Sequence, residues 1–335
     1  MKDLIRDLVE AWGPSGFEHH VRAYIREQVA DLADEMRVDA MGNLICRMGE
    51  KHSDGLRVMV AAHMDEIGVM VSHIDDNGFA RFTNIGGVNQ QHLHGLRVMF
   101  ENGLVGVVYA ESSGDRGKIP GLNGFYIDAQ NGEAETPIKV GDPANFWRQM
   151  DERGSRLTSK AMDDRIGCAV AIETMRRLKD SPHEVYFAFT VQEEVGLRGA
   201  TTAGYSIYPD LAIALDVTLT GDTPKGPMKM AVELGKGTAI KALDGRHIAP
   251  PAVRELLVRR AEAHNIPYQI EILSGGTTDA AAIQLAQSGV PAGTISIPCR
   301  YVHSPSETVD LNDVQASVDL LVAALSEPIT GIQPE

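Results

Sequence analysis

The sequence predicts an α/β protein: an open mixed sheet with helices on both faces, carrying an inserted all-β module. Three observations carry that expectation. A nearly continuous apolar run at 56–62 has the composition of a strand covered on both faces. From about residue 160 to the C-terminus, apolar runs of strand length alternate with helical patterns. Between 68 and 156 that rhythm stops. Short β-type runs there are punctuated by Asn77-Gly78 and Asn102-Gly103, both strong hairpin signals.

The elements follow in order. An amphipathic N-terminal stretch leads to Ser15 and Glu18, whose Ser-x-x-Glu spacing predicts a capping box, with Val21, Ile25 and Val29 as the apolar stripe of the helix behind it. The 56–62 strand runs into His63-Met64-Asp65. Runs at 68–74 and 104–109 supply strands of the inserted module, in which no helix is expected. A helix over 164–179 presents Ile166, Ala169, Val170, Met175 and Leu178 on one side. Strands at 185–191 and 211–215, a helix at 252–264, a strand at 268–273, a helix at 278–287, a strand at 292–297 and a closing helix at 314–325 complete the chain. Residues 1–67 and 157–335 therefore form one discontinuous unit, and 68–156 the insertion.

Composition narrows the function classes. The 335 residues carry 46 acidic against 31 basic side chains, a net charge of −15. That excess argues against nucleic acid or an anionic membrane as partner. With 43% hydrophobic and 23% charged residues the chain is of ordinary globular type and affords a core without staples. Cys46, Cys168 and Cys299 are odd in number, far apart and in no Cys-x-x-Cys pair, which suits a reducing compartment. The first residues alternate charge with apolar side chains, unlike a signal peptide. A cytoplasmic location is the expectation.

The chemistry gathers where the apolar strands end. The 56–62 run leads to His63 and Asp65, the 185–191 run to Glu193 and Glu194, the 211–215 run to Asp216, and the 292–297 run, a few residues on, to His303. In an open α/β sheet the crevice beyond the carboxyl ends of the strands is the usual site. Asp163-Asp164-Arg165 adds acidic groups where a helix opens. Taken singly, each feature has an ordinary explanation: a hydrogen-bonded loop pair, a solvated pair of glutamates, a helix cap, a surface histidine. Together they deliver imidazole and carboxylate without thiolate, a donor set suited to a catalytic divalent ion. His63 and Asp65, two apart on an extended chain, face the same way, so Asp65 is expected to hold the far ring nitrogen of His63.

His63-x-Asp65, Lys160-Ala161-Met162-Asp163-Asp164-Arg165, Glu193-Glu194-Val195-Gly196, Asp216 and His303 together resemble the dimetal aminopeptidases of the glutamyl/leucyl, tetrahedral (TET) type, and Ser274-Gly275-Gly276-Thr277-Thr278-Asp279 resembles an active-site loop of that family. The resemblance spans essentially the whole chain. It implies a phosphorylase/hydrolase-like aminopeptidase fold, with the insertion as a β-barrel-like dimerisation domain. It also implies two divalent ions per subunit, zinc or cobalt, with manganese sharing the same ligands. Asp163 would bridge them, His63 and Asp216 completing one and Glu194 and His303 the other. Three ligand carboxylates against two divalent ions leave about one positive charge for a bound hydroxide. Glu193 would be the general base and Asp65 a further active-site residue. Short peptides with a free N-terminus would be the substrates, and the assembly a homo-oligomer, a dodecamer built from dimers.

Two other classes stay in view. A dimetal deacylase of small N-acylated compounds would use the same ions and base, and a metal-bound assembly module would keep ions without turnover. A glycosidase built on Glu193 and Glu194 is disfavoured, because adjacent residues face opposite ways rather than flanking a sugar. His92-x-His94 reads as a surface hairpin pair, and His19, His20, His52, His73, His183, His247 and His264 as ordinary histidines.

Overall fold

The computed structural model describes residues 1–112, 119–130, 137–226 and 229–332. Two helices, α1 (Lys2–Glu10) and α2 (His19–Val29), open the chain. Strands β1 (Glu35–Val38), β2 (Leu44–Met48) and β3 (Arg57–His63) follow. Six strands then come in succession: β4 (Gly68–Ile74), β5 (Ala80–Ile85), β6 (Arg97–Phe100), β7 (Val105–Ala110), β8 (Phe125–Asp128) and β9 (Pro143–Phe146). After β10 (Asp151–Arg153) and β11 (Arg156–Ser159), helix and strand alternate: α3 (Met162–Arg177), β12 (Glu184–Thr190), α4 (Arg198–Ile207), β13 (Leu211–Thr218). The chain finishes with β14 (Thr238–Leu243), α5 (Pro251–Ala263), β15 (Tyr268–Ile272), α6 (Ala280–Ile283), β16 (Ala292–Arg300), β17 (Glu307–Asp310) and α7 (Leu311–Leu325).

The large sheet runs β1-β2-β12-β3-β13-β16-β17-β11-β10, with β14 on β16 and β15 on β14. Its centre is parallel, and β2, β14 and β17 join that centre antiparallel, so the sheet is mixed. The continuous apolar run of β3 follows from coverage on both sides. Val58, Val60 and Ala62 pack into a core with α1, α2, α3, α5 and α7, while Met59 and Ala61 face α4 and α6. Alternate residues go to opposite faces because the strand repeat is two. Strands β4 to β9 close a barrel, β4-β5-β8-β7-β6-β9, around a separate core that includes Phe82, Val98, Phe125 and Phe146. Hairpins join β4 to β5 and β6 to β7, their tips carrying Asn77-Gly78 and Asn102-Gly103. The β10 strand, within the expected insertion limits, pairs with β11 in the large sheet.

Two expectations fail locally. The capping box does not form: α2 starts at His19 without a side-chain cap. Ser15 instead donates to Asp65 at 2.5 Å, and Glu18 accepts from the amides of Gly16 and Gln192. An ionised carboxylate outcompetes a backbone partner for the serine hydroxyl. The helix expected over 278–287 shrinks to α6, because beyond it the bonds tighten to the three-residue kind, from Leu285 N–H to Ala282 and from Ala286 N–H to Ile283. Among the described residues no helix is long and apolar enough to cross a membrane.

A buried ion cluster locks the barrel, the N-terminal helices and the large sheet together. Glu66 sits between Lys160, at 2.8 Å, and Arg165, at 3.3 Å, and accepts from barrel residue Asn145 at 3.0 Å. Arg165, fully buried, donates further to the carbonyls of Leu8, Ala11, Gly13 and Met64. Burial pulls the Lys160 ammonium down to about 8. Glu66→Gln leaves two buried cations without their anion and is expected to cost about 3–5 kcal/mol, read from the denaturation midpoint. Adding Lys160→Met to that variant should recover part of the loss, since one stranded charge is then gone.

Candidate metal centre

The site residues lie at or just beyond the carboxyl ends of the parallel strands. His63 is the last residue of β3. Glu193 and Glu194 follow β12 in a turn that Gln192 enters with φ of 55°. Asp216 lies within β13, two residues before its end. Asp163 opens α3, and His303 stands three residues past β16.

The geometry divides around Asp163. Its Oδ1 is 3.0 Å from Nε2 of His63, and its Oδ2 is 3.4 Å from Nε2 of His303. His63, Asp163 and Asp216 converge as one group of donor atoms within 4.8 Å of one another, and Asp163, Glu194 and His303 as another. Glu194 Oε1 lies 3.1 Å from His303 Nε2 and is buried without a hydrogen bond. Glu193 lines the same cavity of about 540 Å³, whose lining also includes Thr218, Leu219, Lys241, Arg246 and Leu273.

Two buried carboxylates that are not in either group set the backbone. Asp65 accepts the amides of Glu193 and Glu194 at 3.0 and 3.2 Å. Its Oδ1 is 3.5 Å from His63 Nδ1, whose nearer neighbour is the Asp65 carbonyl at 3.1 Å. The expected carboxylate hold on the ring is thus shared with the backbone. Glu307 accepts the amides of Asp163 and His303 at 3.1 and 2.7 Å. Sequence reasoning missed Glu307, although an acid four residues after His303 was the signal. Asp164 accepts the amides of His63 and Gly167, so the neighbour of Asp163 does cap α3.

The electrostatics favour positive charge. Burial opposes ionisation of Asp163, yet the two imidazoles hold its carboxyl well below the usual range. Burial likewise opposes charge on His303, but Glu194 and Asp163 pull it up to about 12. Burial, with neighbouring carboxylates, pushes Asp216 well above its ordinary range, and Glu193 likewise against the pull of His63. Two imidazole nitrogens and three carboxylates in a pocket that draws cations, with an orphaned oxygen on Glu194, fit divalent ions of the catalytic kind. The thiols stay outside: Cys46, Cys168 and Cys299 are free and buried, and Cys168 donates to the His63 carbonyl.

The barrel supplies one wall from the loop after β5. At Gly87 a Cβ would stand 2.5 Å from Nδ1 of His303, and Gly86, at φ of 72°, would bring one within 3.1 Å of Glu194. Side chains are excluded at both places. His92 and His94 join neither donor group, and His94 stacks on Tyr109. His183 is a satisfied core histidine between the Leu56 amide and the Glu327 carbonyl.

Comparison with known proteins gives a consistent result. The model of the M42 glutamyl aminopeptidase family matches residues 42–320. A relative from Acetivibrio thermocellus is 48% identical over 97% of this chain and 98% of its own. The lysyl aminopeptidase of Pyrococcus furiosus is 34% identical over 97% and 96%. Among solved structures, an aminopeptidase of the archaeon Desulfurococcus kamchatkensis superposes with a TM-score of 0.91 at 42% identity, covering 97% of this chain and 94% of its own. The TET1 peptidase of Pyrococcus horikoshii, which assembles into a tetrahedron or a large octahedral shell, gives 0.87 at 33% identity over 97% and 99%.

Asp65→Asn tests the support beneath the centre. An amide has one accepting oxygen where the carboxylate offers two, so Ser15 and the amides of Glu193 and Glu194 cannot all be kept. Metal affinity, measured against a competing chelator, should fall about 10–100-fold while the far-ultraviolet spectrum is unchanged.

Proposed function

The chain belongs to the M42 glutamyl aminopeptidase family and is a metal-dependent aminopeptidase, and from that premise we propose a division of labour among its residues. His63 and Asp216 would hold one divalent ion, Glu194 and His303 a second, and Asp163 both. The single observation that carries this reading is the carboxylate of Asp163, with one oxygen turned to each histidine. When bound, the ions, zinc, cobalt or manganese, supply Lewis acidity to the peptide carbonyl and to the attacking water.

The remaining chemistry belongs to the chain. Glu193 borders the cavity beside both donor groups, and burial raises its affinity for a proton, as suits a general base. It takes the proton of the attacking water and returns it to the departing amine, so that the carboxylate is regenerated. Asp65 is a positioning residue: it fixes the peptide units of Glu193 and Glu194, keeping base and ligand in register. Substrates would be short peptides with a free N-terminus.

We further propose that 68–156 acts as an inserted dimerisation domain and that dimers build a dodecamer. Support comes from the shell-forming Pyrococcus horikoshii relative and from apolar Val107 and Tyr109 standing exposed on the barrel. Light scattering should give the mass of twelve chains, and a dimer mass at all concentrations would reject the larger assembly.

Glu193→Gln should keep its metal and lose about 10²–10⁴-fold in turnover. Asp163→Asn should lose metal as well as activity. Both are read by metal analysis alongside hydrolysis of matched peptides with free and acetylated N-termini. Turnover of only the acetylated peptides would shift the reading to a deacylase.

A further inference from the structure

Away from the centre, a third group of converging donors joins the N-terminal helices to the barrel. His19 and His20 open α2, and Glu101 stands in the turn between β6 and β7. Nε2 of His19 is 2.8 Å from Glu101 Oε1, and Nε2 of His20 is 3.4 Å from the same oxygen. All three donor atoms lie within 4.8 Å of one another. The sequence offered no hint of this, since Glu101 is some eighty residues from the histidine pair.

The scaffold beneath them is ordered. The indole of Trp12 packs edge-on against both imidazoles, at 6.1 and 5.8 Å, and the imidazoles lie 4.3 Å apart. Trp12 is itself fixed to the barrel, its Nε1 donating to the carbonyl of Met99 at 2.9 Å. Two nitrogens and one carboxylate oxygen are thus carried on elements already tied together through the indole.

We propose that His19, His20 and Glu101 form a divalent-metal site of the zinc type, separate from the catalytic centre, that clamps α2 to the barrel. Zinc takes imidazole nitrogen at about 2.0–2.1 Å and carboxylate oxygen at about 2.0–2.2 Å, and tetrahedral donors then stand roughly 3.3 Å apart. The observed 2.8 and 3.4 Å from the two imidazoles to the carboxylate oxygen lie on either side of that spacing, and all three donors fall within 4.8 Å of one another. The three side chains are about half exposed, which leaves the remaining position to water and makes the ion exchangeable. Two histidines and one glutamate also form a donor set found in zinc enzymes. None of the three lines the catalytic cavity, so the role assigned is a clamp rather than a catalyst.

The test compares the full chain with a His19→Ala/His20→Ala double variant and with Glu101→Gln, each equilibrated with zinc at graded free concentrations. Zinc per chain is counted by mass spectrometry, and the thermal midpoint is followed in the same samples. The parent chain should take up one zinc more than either variant, and its midpoint should rise across that added step while theirs stays flat. Peptide turnover at saturating metal should match in all three. Equal zinc counts and equal midpoints at every concentration would overturn the proposal and leave an ordinary histidine–glutamate contact. Ions held at the catalytic centre are common to the three proteins and cancel in the difference. The outcome is therefore independent of how many ions that centre holds.

Discussion

The guanidinium of Arg165 is the constraint on which much of the rest depends. It cannot shed its proton, so once buried it must find an acceptor for each of its donors. It finds them on two separate stretches of chain: the carbonyls of Leu8, Ala11 and Gly13 at and beyond the end of α1, and the Met64 carbonyl and Glu66 carboxylate at the exit of β3. Glu66 carries the connection to Lys160 and to Asn145 of the barrel. The segment leaving β3 divides its work by parity. His63 and Asp65 turn to the metal centre, while the Met64 carbonyl and the Glu66 side chain turn to the ion cluster, as an extended chain allows. The centre is held from behind by a buried ion cluster that ties β3 to the N-terminal helix and to the barrel.

Within the centre, support is paired. Asp65 gathers the amides of Glu193 and Glu194, and Glu307 gathers those of Asp163 and His303. Each buried carboxylate fixes the backbone of two residues that face the cavity, and neither needs to touch a substrate. Anchoring through peptide units leaves the side chains free to turn toward a common point. The field that results draws the histidines toward positive charge, the condition a pair of divalent ions relieves.

Much of this was legible in the sequence for a specific reason. The parallel strands are covered on both faces, so their apolar runs are unbroken and the first polar residue beyond each marks the edge of the sheet. His63 and Asp216 were visible on that ground, even though Asp216 falls inside its strand, and Glu193 and His303 follow their apolar runs a little further on. The supporting residues were not. Ser15 and Glu18 match a helix cap in spacing, and only the folded chain brings Asp65 and the Gln192 amide close enough to take them. The short α6 escaped for a related reason: Thr278 and Asp279 carry buried hydroxyl and carboxylate groups that bond to Thr294 and Thr190, and helical periodicity registers none of those partners. Glu101 and the histidine pair are an extreme case, joined by a barrel whose closure no local pattern encodes.

Gly86 and Gly87 have a consequence for how such a cleft can change. The barrel closes one side of it with bare backbone, pressed so near His303 and Glu194 that no side chain fits. That wall can neither be trimmed to admit a larger residue nor decorated to attract a charged one. Variation in substrate preference is therefore left to the other side chains lining the cavity, among them Thr218, Leu219, Lys241, Arg246 and Leu273. The bare backbone acts as a fixed gauge while the remaining lining side chains are free to differ, so what the cleft accepts can change without disturbing the wall beside His303 and Glu194.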